Sequence, residues 1–222
     1  LTMNSRTRIK ICGLREPAHV EAAVLAGADA LGFVFYAKSV RAVTLEQASA
    51  LVELLPPFVT PVGLFVNADP NVIDAALRAI PQLLLQFHGD EAPAECERWG
   101  RPYLRALAVR PETNLLDCAR RHPHAQALLL DAPVEGYGGG GKVFDWSLLK
   151  PSANSPVVLS GGLNADNVAD GIRRVRPWAV DVSSGVEQTR GVKSPDLIRR
   201  FCAAVRAADA AQTTGLPPHE NL

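Results

Sequence analysis

The chain lacks net charge: its 23 lysines and arginines are matched by 23 aspartates and glutamates. With no global field, it offers no basic face for nucleic acid and no attraction to an anionic membrane. Long hydrophobic runs are also missing. Apolar stretches such as "QALLLDA" fall far short of the roughly 20 residues needed to cross a bilayer. No positively charged segment followed by an apolar one opens the chain, so the expectation is a cytoplasmic protein. The four cysteines, Cys12, Cys96, Cys118 and Cys202, are widely scattered. They show neither paired metal-ligand spacing nor the density of a disulfide scaffold. The expectations are therefore free thiols in a reducing compartment and no metal.

What is present is one alternation repeated from end to end. A short β-branched run, a turn and an amphipathic segment follow one another throughout the 222 residues, 47% of which are hydrophobic. Strands are expected at Ile9–Cys12, Ala30–Phe35, Pro61–Val66, Leu83–Phe87, Tyr103–Ala106, Ala127–Leu130, Val157–Leu159 and Ala179–Val182. Helices are expected at Pro17–Ala26, Leu45–Leu54, Pro70–Ala79, Ala92–Trp99, Thr113–Arg121, Asn164–Val175 and Pro195–Ala208. A shorter helix is expected at Phe144–Leu149. Pro17, Pro70 and Pro195 suit first helical turns, and Gly27 and Gly100 suit left-handed helix ends. Eight such units at this length predict a parallel sheet closed into a (β/α)8 barrel, with an open doubly wound sheet as the alternative. One domain is expected over 8–208, with a disordered segment at 1–7 and a flexible tail at 209–222.

In a parallel barrel, ligand chemistry gathers at the C-terminal ends of the strands. Polar and small residues fall there repeatedly. The first strand ends in Cys12-Gly13, and the second is followed by "YAKSVR" with Arg41. The fourth carries Gln86, His88 and Asp90, the sixth ends at Asp131, and the eighth holds Asp181. After strands seven and eight come "SGGLNADNV", with Gly161 and Gly162, and "SSGVE", with Ser183 and Ser184. Two glycine turns at these adjacent positions match the phosphate site that many barrels build there, which needs no basic surface. The run Gly138–Gly141 is not a Walker loop, since Val143 stands where Ser or Thr is required. It suits a mobile loop over a ligand or an exposed linker.

Taken in order, "KICGL", "GFVFYAKSVR", "VGLFVN", "QFHGDE", "LLDA…GGGGKVFDW", "LSGGLNADNV" and "VDVSSGVE" resemble the motifs of phosphoribosylanthranilate isomerases from about Lys10 to Arg206. The resemblance implies an Amadori rearrangement in tryptophan biosynthesis, a reaction that needs no metal and no organic cofactor. N-(5′-phosphoribosyl)anthranilate would become 1-(2-carboxyphenylamino)-1-deoxyribulose 5-phosphate. It implies Cys12 as general base, Asp131 as general acid and Arg41 as the ligand of the anthranilate carboxylate. Gln86, His88 and Asp181 are candidates for substrate binding, and Gly161, Gly162, Ser183 and Ser184 for phosphate binding.

Aspartic acid and cysteine start near pKa values of about 3.9 and 8.5, on the wrong sides of neutrality for these roles. Burial should therefore keep Asp131 protonated, and local positive charge should favour the Cys12 thiolate. Val40 replaces the family's usual proline, which predicts a less rigid Arg41, and Arg15 has no role visible in the sequence. Related barrels fit less well: a synthase acting on indole-glycerol phosphate would want a lysine acid. A ribulose-phosphate epimerase would want metal-poising histidines and aspartates, and a non-catalytic phospholigand barrel has no use for Cys12 opposite Asp131. The partner expected is a phosphorylated small molecule, bound by a monomer or homodimer.

Overall fold

In "RIKIC" the odd and even positions meet different surroundings, as a strand buried on both faces requires. In the computed structural model, which describes residues 6–132, 146 and 155–214, this segment is β1 (Arg8–Cys12). It is followed by α1 (Pro17–Leu25), β2 (Ala30–Val34), α2 (Leu45–Val52), β3 (Thr60–Phe65) and α3 (Pro70–Ala79). Next come β4 (Leu84–Phe87), α4 (Pro93–Glu97), β5 (Tyr103–Ala108), α5 (Leu115–Arg121) and β6 (Ala125–Asp131). The second half holds β7 (Val157–Leu159), α6 (Val168–Val175), β8 (Ala179–Val182) and α7 (Pro195–Thr214). A small antiparallel pair, β9 (Glu187–Thr189) and β10 (Val192–Lys193), lies between β8 and α7.

The eight strands β1 to β8 pair in sequence order and β8 returns to β1, all in parallel. Closure settles the choice between a barrel and an open sheet. The main core lies between the strands' outward side chains, among them Ile9, Ile11, Leu31, Phe33, Phe65 and Leu85, and the helices. Ile198, Phe201 and Val205 of α7 are fully buried in it. Inside the barrel the N-terminal layer is apolar: Val62, Leu104, Ala127, Val158 and Ala179 cluster with Ala30 and Leu84. A cavity of about 420 Å³ enters from this end between those residues. Above it the interior is mixed: the buried Lys10, Gln86, Ser160 and Asp181 stand with an apolar cluster of Cys12, Val34, Leu64 and Val66.

Local chemistry explains where element ends depart from expectation. Asn114 accepts from the backbone N–H groups of Leu116 and Asp117, so α5 starts at Leu115, two residues late. Asn164 makes a similar turn, taking the N–H groups of Asp166 and Asn167, and α6 starts only at Val168. Residues 209–214 of the expected tail are helical, because α7 continues to Thr214. Asp209 on that extension accepts from Thr7 N–H and Oγ, both at 2.7 Å. Arg6 forks onto Asp29, so residues 6 and 7 of the segment expected to be disordered are fixed in place. Gly27 and Gly100 hold the expected left-handed conformation at φ 77° and 59°. The expected helix Phe144–Leu149 and the glycine run Gly138–Gly141 lie outside the described residues, apart from Trp146.

Candidate active site

β1 delivers Cys12 to the C-terminal rim, and Gly13 follows it at φ 80°. A Cβ on Gly13 would stand 2.7 Å from Arg41 Cδ, so this glycine lets the arginine lie across the end of β1. Arg41 is buried despite its charge. Its Nε and Nη2 fork onto Glu187 Oε1 and Oε2 at 2.7 and 2.8 Å. The expectation of a loosely held Arg41 is overturned. Ser39 Oγ accepts from Arg41 N–H, and Arg15 donates to Val40 O at 2.9 Å. Arg15 thus ties down the loop that lacks the proline.

Lys193 belongs to the same group. Buried almost completely, it donates to Glu187 Oε1, Ser183 O and Ser183 Oγ. The two cations and the Gly191 N–H hold the Glu187 carboxyl down to about 2, against the cost of its burial. Burial pulls Lys193 itself below the usual ammonium range.

Beneath the rim, Lys10 and its β8 neighbour Asp181 form a buried ion pair at 2.7 Å. Ser160 Oγ donates to the second Asp181 oxygen at 3.1 Å. Asp181, expected to bind substrate, has its two oxygens engaged by Lys10 and Ser160. Cys12 lies beside this pair. Positive charge does favour its thiolate, as expected, but burial outweighs it. Burial pushes the thiol up, with Lys10 and Lys193 pulling the other way and Asp181 adding to the rise.

The other side of the rim centres on Asp131, the last residue of β6. Asp131 Oδ1 accepts from Ala132 N–H at 2.8 Å, and Oδ2 lies 3.3 Å from His88 Nε2. Gln86 Nε2 stands 3.2 Å from His88 Nδ1. When Gln86 donates there, His88 carries its hydrogen on Nε2, facing Asp131. Gln86 is fully buried, its Oε1 has no hydrogen-bond partner among the described residues, and it reaches His88 rather than the open rim. The loop carrying His88 is stapled from below. Arg105 pairs with Glu91 at 2.9 Å and donates to the carbonyls of Phe87 and Gly89, while Glu91 accepts from the N–H groups of Asn67 and Gly89.

Gly161 and Gly162, at φ 82° and 66°, turn the chain after β7. A Cβ on Gly161 would stand 2.4 Å from Ala132 N and 2.9 Å from Asp131 Oδ1, so a side chain there would displace the carboxylate. A Cβ on Gly185 would stand 1.8 Å from Leu163 O, which shows how closely the turns after β7 and β8 meet. Ser184 starts the single helical turn Ser184–Val186 at that junction. Gly162 O accepts from Asn167 Nδ2, fixing the first turn against the start of α6.

The sequence reading missed Lys10, Glu91, Arg105, Glu187 and Lys193. Lys10 and Arg105 did leave a signal: each is a charge inside an apolar strand that a two-sided burial pattern should not hold. Glu187 closes the "SSGVE" stretch after the eighth strand, while Lys193 left no signal, since it falls at no strand end of the barrel.

Among the described residues no group of three or more His, Cys, Asp and Glu side chains is placed to hold a metal ion. A closed parallel barrel whose charged and nucleophilic side chains collect at the C-terminal rim defines a (β/α)8-barrel enzyme. Residues 9–204 match the family described as N-(5′phosphoribosyl)anthranilate (PRA) isomerase. The chain belongs to that family and is an isomerase of tryptophan biosynthesis. It is 66% identical to the N-(5′-phosphoribosyl)anthranilate isomerase of Methylibium petroleiphilum, covering 92% of this chain and 96% of the relative. To that of Leptothrix cholodnii it is 65% identical, over 93% and 94% of the two chains. The crystal structure of phosphoribosyl anthranilate isomerase from Thermotoga maritima aligns with TM-score 0.83 at 40% identity, covering 90% of this chain and 99% of that one. A structure of the isomerase in complex with reduced 1-(o-carboxyphenylamino)-1-deoxyribulose 5-phosphate aligns with TM-score 0.77 at 35% identity, covering 90% and 99%.

Proposed function

We propose that this isomerase carries out its Amadori rearrangement with Asp131 as general acid and Cys12 as general base. The observation that carries the reading is the placement of both groups at one rim, each set in its own hydrogen-bonded or ionic surround. Asp131 in its acid form protonates the furanose ring oxygen of N-(5′-phosphoribosyl)anthranilate. The C1′–O bond breaks as the anthranilate nitrogen forms an iminium. Cys12 as thiolate then removes the C2′ proton, giving the enolamine, which gains a proton at C1′ as its C2′ hydroxyl loses one to become the ketone 1-(2-carboxyphenylamino)-1-deoxyribulose 5-phosphate. Each proton transfer of this kind contributes about 10²–10⁴-fold.

His88 holds the acid's carboxyl in either protonation state, because the Gln86 amide offers Nδ1 a donor or, turned over, an acceptor. The Arg41 atoms not engaged by Glu187 receive the anthranilate carboxylate, and Glu187 keeps the fork rigid. The substrate phosphate lies against Gly161, Gly162, Ser183 and Ser184, where two turns meet. A neutral chain suits this, since backbone groups rather than a basic surface hold the anion. The free state of all four cysteines suits a cytoplasmic enzyme.

The test is turnover of freshly prepared N-(5′-phosphoribosyl)anthranilate by the purified protein, followed as loss of substrate fluorescence. Substrate deuterated at C2′ should react more slowly. An equal rate with both substrates under conditions where chemistry limits would remove Cys12's step from the mechanism.

A further inference from the structure

We propose that Lys10, clamped by Asp181 one layer beneath Cys12, is the positioning residue that stabilises the Cys12 thiolate. The inference rests on the reading of Cys12 as base, and four observations carry it.

The first is alternation. Lys10 and Cys12 are two residues apart on β1, so both side chains point to the same side of the strand. Lys10 is paired in register with Asp181 on β8, and Cys12 with Gly32 on β2.

The second is the glycine opposite. The single point that a Gly32 Cβ would occupy lies 2.8 Å from Cys12 Sγ and 3.2 Å from Lys10 Nζ. The thiol and the ammonium flank the same space, and any side chain at Gly32 would push between them.

The third is the use each buried ammonium makes of its hydrogens. Lys193, the other lysine that acts on Cys12, engages Ser183 O, Ser183 Oγ and Glu187 Oε1. Its three donors are committed. Lys10 gives one hydrogen to Asp181 Oδ1, and its ammonium flanks the space beside the thiol.

The fourth is charge. The ionic groups facing Cys12 are Lys10 on β1, Asp181 on β8 and Lys193 on β10. Glu187 and Arg41 stand one link further, around the Gly13 turn. Three cations against two carboxylates leave room for one more negative charge, which a Cys12 thiolate supplies.

A structural ion pair alone accounts poorly for Lys10, because a buried pair adds little stability over well-packed apolar residues. Next to a thiol that burial pushes toward its neutral form, an ammonium has a specific task.

The experiment is the rate of Cys12 alkylation by iodoacetamide against pH in the substrate-free enzyme, resolved from the other cysteines by peptide mass spectrometry. Lys10→Met should move the midpoint up by about one unit, an about tenfold slower reaction below it, while Lys10→Arg stays near wild type. Asp181→Asn should move it down, because that carboxylate opposes the thiolate. A Lys10→Met midpoint at or below wild type overturns the proposal. Should Lys10→Met not fold, Lys10→Gln in the same assay decides: a higher midpoint supports the proposal, and an unchanged or lower one overturns it. The acidic limb of the kcat/KM profile separates the two claims. A Lys10→Met enzyme whose alkylation midpoint rises while that limb stays put keeps the Lys10–Cys12 coupling and removes Cys12 as base.

Discussion

Arg41 and Glu187, 146 residues apart in sequence, are joined by two hydrogen bonds of 2.7 and 2.8 Å. The fork crosses the end of β1 and links the loop after β2 to the β9–β10 hairpin after β8. It turns a flexible side chain into a fixed one at the mouth of the site. Arg41→Ala should therefore raise KM by about tenfold to a hundredfold, the range of a charged hydrogen bond, with a smaller change in kcat. Glu187→Gln keeps the guanidinium but loosens it, and should raise KM by a smaller factor. Steady-state kinetics check both; unchanged KM in Arg41→Ala would remove the carboxylate contact.

Gly185→Ala should separate the turns after β7 and β8, since the new Cβ has no room against Leu163 O. Inorganic phosphate should raise the melting temperature of the wild type and raise that of Gly185→Ala less. An equal rise would place the phosphate elsewhere.

Arg105→Met should lower unfolding free energy by about 3–5 kcal/mol, because Glu91 is then left buried without its cation. The double variant Arg105→Met/Glu91→Gln should recover part of that loss. Denaturant melts of the two variants measure it, and a cost below about 1 kcal/mol for the single change would show the pair to be dispensable.

Acid should weaken the fold through Glu187. Its folded-state value is depressed from the carboxylate reference of 4.5 to about 2. The stability it contributes is present above the unfolded value and is lost as pH falls through the window from about 4.5 to 2. Wild type should therefore lose its stability advantage over Glu187→Gln across that window. A difference between the two that is constant from pH 6 to pH 2.5 would contradict the linkage.

The barrel was legible in the sequence because its signals are local. Apolar runs of strand length, prolines at Pro17, Pro70 and Pro195 and glycines at Gly27 and Gly100 each act within a few residues. The rim positions of Cys12, Asp131 and His88 followed from the strand ends. The charge pairs did not. Lys10 finds Asp181 across 171 residues, and Arg41 finds Glu187 only once β8 has closed on β1. For the same reason the environment of Cys12 was misjudged. Its neighbouring cations were expected to prevail, and burial, a property of the closed barrel, outweighs them.

The most direct test of the account compares turnover of N-(5′-phosphoribosyl)anthranilate by wild type, Cys12→Ala and Asp131→Asn, with circular dichroism and melting temperature confirming the fold of each. Each variant should lose about 10²–10⁴-fold in kcat/KM while remaining folded. A folded variant of either kind that turns the substrate over at the wild-type rate would contradict the assignment of base and acid.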